Sequence, residues 1–74
     1  MEPAMKVVVE ALWDQEAGVW AASAVGDIGL FTEADTIEHL QRKLAVMVPE
    51  LLADHSKGPF EIELVARSLQ TIAA

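Results

Sequence analysis

The chain has 74 residues, 53% of them hydrophobic, with 12 Asp and Glu against 5 Lys and Arg, for a formal charge of −7. A chain of this length reads as one domain, residues 1–74; a domain so small buries only about 60% of the surface its unfolded form exposes, so a homo-oligomer, a dimer or larger, is expected to supplement a thin core. The acidity disfavours direct nucleic-acid binding, whose phosphates call for Lys and Arg, and suits a basic protein partner; the lack of cysteine removes disulfides, a thiol nucleophile and cysteine–zinc sites. No apolar run approaches the about 18–20 residues of a membrane span. Met1-Glu2-Pro3 opens acidic, without the apolar core of a secretory leader. No membrane association and a cytoplasmic location are therefore expected.

Residues 5–13, MKVVVEALW, are rich in β-branched side chains and predict strand β1. Met5, Val7, Val9, Ala11 and Trp13 share one face, and Lys6, Val8, Glu10 and Leu12 the other. Residues 18–25, GVWAASAV, predict β2, paired antiparallel through the acidic turn Asp14-Gln15-Glu16-Ala17-Gly18. Setting Trp13 opposite Val19 sends Trp20 to the far face with Val8, Leu12 and Ala22. A slip of one residue reverses that assignment. Gly26 and Gly29 can take positive φ in the next turn, and Leu30, Phe31 and Thr32 form the expected β3.

The helix is predicted over residues 35–56. Asp35 or Thr36 can cap it, and Glu38 stands three residues after Asp35, the spacing of a capping box. Its apolar stripe is Ile37, Leu40, Leu44, Met47, Val48, Leu51 and Leu52, at steps of three and four. Glu38 and Arg42 are spaced to pair along the wet side. Pro49 lacks an N–H, so a kink or break is expected near it. Residues 60–66, FEIELVA, alternate Phe60, Ile62 and Leu64 against Glu61, Glu63 and Val65, and predict β4. The order β-β-β-α-β gives an α+β fold, one helix on one face of a four-stranded sheet that is mixed if β4 returns parallel to β1.

Catalytic groups are sparse. His39 stands on the helix beside Lys43, off the apolar stripe, and reads as a solvated side chain. His55 falls at the expected helix end, where a cation suits the dipole. No Ser-His-Asp constellation, P-loop or zinc spacing can be drawn. Glu10, Glu61 and Glu63 are the one set of carboxylates that a sheet could gather around a divalent metal; wet-face glutamates are ordinary, and a surface without Lys or Arg nearby repels RNA. The expectation is no enzyme, no cofactor and no metal. One helix covers one sheet face, and the other carries too much apolar surface to be bare. Val8, Glu10, Leu12, Trp20 and Ala22 are the expected partner or oligomer interface. On this register Trp13 closes the core and Trp20 serves a partner.

The strand, acidic turn and GVWAA, followed by GDIGLFTEADTIEHL, resemble the HicB-like antitoxin superfamily over roughly residues 5–66. Asp27, Gly29, Thr32, Thr36 and Glu38 occupy positions that match that family's run into the helix. Ile28 replaces its usual proline, and Ala34 a common glycine; the VPELL late in the helix is similar to a short, uncharacterised branch. The resemblance implies a partial ribonuclease-H-like fold and a protein that binds and neutralises a small basic RNA-cleaving toxin of the HicA type. Relatives often add a C-terminal DNA-binding segment, which is not expected in the few residues after β4. The alternative is an oligomeric scaffold or small-ligand regulatory domain with no toxin partner.

Overall fold

The computed structural model describes residues 4–73; Met1-Glu2-Pro3 lies outside them. The elements are β1 (Met5–Asp14), β2 (Val19–Ala24), β3 (Phe31–Ala34), α1 (Ile37–Leu51) and β4 (Phe60–Arg67). The sheet is mixed, in the order β3-β2-β1-β4. β1 pairs antiparallel with β2 and parallel with β4, and β2 pairs antiparallel with β3. The helix carries the chain from one sheet edge to the other, as a parallel return requires. This is the α+β arrangement that the sequence predicts.

The hairpin register differs from expectation by one residue. Trp13 opposes Trp20, and Asp14 opposes Val19. The cause lies in the turn. The Asp14 carboxylate accepts the backbone N–H groups of Glu16 at 3.0 Å and Ala17 at 3.2 Å, and its carbonyl accepts that of Gly18 at 2.8 Å. Asp14 thus belongs to the ladder while its side chain closes the turn, which leaves four residues in the loop rather than five. Period two does the rest: Trp20 and Ala22 move to the face of Trp13 and Ala11, the helix-covered one. Ala22 is fully buried there.

β3 runs to Ala34, and Leu30 is a buried loop residue ahead of it. Gly26 and Gly29 hold φ of 99° and 73°, the left-handed region that glycine enters without a Cβ clash.

The helix is shorter than its apolar stripe suggests. Thr36 is the N-cap, its hydroxyl accepting the His39 N–H at 3.0 Å. Asp35 stands outside the helix and uses its carboxylate on the His39 ring at 3.0 Å, so the Asp35–Glu38 capping box does not form. Glu38 and Arg42 form no ion pair; the pairs among the described residues are Lys6–Glu63 and Asp35–His39. Pro49 sits in the last turn, where its missing N–H removes one bond, and α1 ends two residues later. His55 lies beyond it in a turn, its N–H on the Leu52 carbonyl at 2.9 Å, and does not meet the helix dipole as expected.

Leu40, Leu44, Val48 and Leu52, at steps of four, form one buried cluster with Val7, Val9, Ala11, Ala22, Leu30 and Ala34. Each fully buried large aliphatic stabilises by about 1.5–3 kcal/mol. The sheet side of this cluster is largely valine and alanine, small enough to admit the helix leucines. Leu51 leaves the stripe at 45% exposure.

Candidate interaction surface

Side chains that oppose one another across a ladder point to the same face, so the registers define the open side of the sheet. One row runs Phe31–Ser23–Glu10–Val65 across all four strands, and the next runs Glu33–Ala21–Leu12–Arg67. Val8 opposes Glu63, and Lys6 opposes Glu61. Leu12 is 56% exposed and Phe31 64%; Val8, Ala21 and Val65 are half-buried. The result is an apolar strip set among the carboxylates of Glu10, Asp14, Glu33, Glu61 and Glu63, with Lys6 and Arg67 as the cations of this face. Lys6 is already engaged, its Nζ 3.4 Å from Glu63.

Of the five expected interface residues, Val8, Glu10 and Leu12 share this open face. Trp20 and Ala22 do not, because the register places them beneath the helix side. Phe31 takes the place that the sequence reading gave Trp20. Alternation sets Phe31 and Glu33 on one side of β3, and the pairing of β3 with β2 makes that side the open one.

The tryptophans instead pack on each other, ring centroids 5.3 Å apart and planes at 60°, an edge-to-face geometry favoured by the ring quadrupoles. With Asp35, Thr36, Ile37, Glu38 and Ser68 they line an open groove of about 440 Å³ beside the start of α1. The His39 side chain is 44% exposed, and its hydrogen bond holds the Asp35 carboxyl below the ordinary carboxylate range.

Glu10, Glu61 and Glu63 do not gather. Glu10 opposes Val65, Glu63 opposes Val8 and is held by Lys6, and Glu61 opposes Lys6. Among the described residues no three His, Asp or Glu side chains stand close enough to hold a metal ion. No helix among them is long and apolar enough to cross a membrane.

Fold and surface together define a small α+β domain whose sheet presents one acidic, partly apolar face. The chain belongs to the family described as domain of unknown function (DUF1902), which matches residues 6–72. It is similar to the crystal structure of the hypothetical protein TTHA1013 from the extremely thermophilic bacterium Thermus thermophilus, with 44% identity over 93% of this chain and 99% of that one, and a TM-score of 0.66. No curated protein matches the chain. Neither similarity carries any sign of catalysis.

Proposed function

We propose that this domain is a non-catalytic, HicB-like protein-interaction module that binds a small basic RNA-cleaving protein and masks its RNA-contacting surface. The observation that carries the reading is the open sheet face. Exposed Leu12 and Phe31 supply an apolar centre, and the carboxylates around them supply a field that attracts a cationic partner. An RNA-cleaving protein needs a cationic surface for its substrate, and an acidic face competes for it directly. The resemblance of GVWAA and the run from Asp27 to Glu38 to the HicB-like superfamily supports the same class of partner.

The test uses the purified chain and any short basic protein encoded beside it, with RNA integrity as the readout. We expect near-stoichiometric suppression of cleavage and an association rate that falls as salt rises. Leu12→Lys, at an exposed position, should weaken the complex and leave the fold intact. RNA cleavage by this chain alone, abolished by Glu10→Gln, would overturn the reading. Failure to bind any such partner would favour the oligomeric scaffold instead.

A further inference from the structure

The two edges of the sheet are unequal. β3 is four residues long, and so short an edge offers little template. β4 is an eight-residue edge strand, with no proline, lysine or bulge between Phe60 and Arg67. Its backbone polarity follows from the parallel ladder. The Met5 N–H donates to the Pro59 carbonyl at 2.9 Å, so the odd-numbered residues of β4 turn their backbone groups toward β1. Those of Ile62, Leu64 and Ala66 point away from the sheet, and among the described residues no backbone hydrogen bond outside the strand ladder engages them.

The geometry points to a second copy of this chain as the occupant of that edge, joined antiparallel, β4 to β4, about a two-fold axis at Leu64. Charge selects both the partner and the register. Centring on Leu64 opposes Glu61 of each copy to Arg67 of the other on the open face, while Lys6 already holds Glu63. Every charged side chain of β4 is then matched. Moving the centre to Glu63 opposes two like charges on the axis; moving it to Val65 shortens the overlap, spends Arg67 on Glu63, which Lys6 already holds, and leaves Glu61 against Leu69. Registers centred between two residues oppose an outward-facing backbone group to an inward-facing one and close no ladder. The Leu64 register therefore yields an eight-stranded sheet with both helices on one side and both open faces adjoining on the other. This assembly does not depend on the toxin-masking reading, because it uses the edge and leaves the face free.

The experiment is sedimentation equilibrium on the full chain at micromolar concentration, with amide hydrogen exchange on the same samples. We expect a species of twice the 8.0 kDa chain mass, with slow exchange at Ile62, Leu64 and Ala66. Arg67→Glu turns two attractive pairs into repulsive ones and should raise the dissociation constant on the order of tenfold or more. The charge-swapped double variant Glu61→Arg/Arg67→Glu should restore the dimer. Both positions are exposed, so circular dichroism should show an unchanged fold. A monomeric wild type would overturn the proposal. So would a dimer indifferent to Arg67→Glu, or one in which those three amides exchange as freely as in an unpaired strand.

Discussion

At the scale of single residues, the hairpin tip shows how one side chain redirects others. Asp14 closes the turn with its carboxylate, and that choice alone decides which way Trp20 faces. The sequence shows both tryptophans and the acidic turn between them, but loop length by one residue is invisible to alternation. The face of Trp20 therefore does not follow from period two alone. Because Trp13 and Trp20 pack edge to face, a double-mutant cycle with Trp13→Ala and Trp20→Ala should give a coupling of about 0.5–1.5 kcal/mol; additive losses would mean that the rings do not share energy. A second expectation concerns Asp35, whose carboxyl the His39 hydrogen bond holds below its ordinary value of 3.8. A depressed folded-state pKa stabilises above the unfolded value and loses that contribution as pH falls through the folded one. The contribution is thus present in full above 3.8, and its loss is confined to more acid solution. Carboxyl NMR should show Asp35 titrating low, and His39→Ala should bring it back toward that value.

At the scale of elements, alternation and the stripe of threes and fours place all four strands and the helix, since each element must bury one side of itself. Their ends are set by other forces. The stripe runs on to Leu52 while the helix stops at Leu51, Leu52 serving as its C-cap with its N–H still on the Val48 carbonyl. At the other end, Asp35 and Thr36 both have cap chemistry, and only the backbone decides between them. Thr36→Ala should cost about 1 kcal/mol, with loss of the bond to the His39 N–H; denaturant melts read this directly. Leu44 is buried between helix and sheet, and Leu44→Ala should cost about 2–5 kcal/mol, depending on how far the alanine-lined sheet can collapse onto the gap. A loss below about 1 kcal/mol would contradict the packing described. The open face was legible for Val8, Glu10 and Leu12, which follow from β1 alone, and illegible for Phe31, which depends on pairing with β2.

At the scale of the molecule, the chain measures 54 × 22 × 20 Å with a radius of gyration of 14.1 Å, against about 11 Å for a compact domain of this length. The segment after β4 contributes to that excess: residues 68–73 join no strand, and Leu69 and Ile72 are 90% and 80% exposed. Removing residues 69–73 should shift unfolding free energy by less than about 0.5 kcal/mol, as for other surface changes; a larger loss would show that Leu69 packs on the hairpin tip.

The parallel pairing of β1 with β4 joins the first element to the last, and it imposes an order of events. β1, β2 and β3 are neighbours in the chain and can meet through short loops, whereas β4 reaches β1 only after the loop-closure entropy of everything between them has been met. Substitutions in the hairpin should therefore slow refolding, and those in β4, such as Ile62→Val, should chiefly hasten unfolding, a division that stopped-flow chevrons resolve. On the ribosome the same order holds by necessity. Val7, Val9 and Ala11 emerge early, and one whole flank of their strand waits bare until residue 67 has been added, so the half-made chain passes through a stage in which its stickiest strand has an open side and needs shelter.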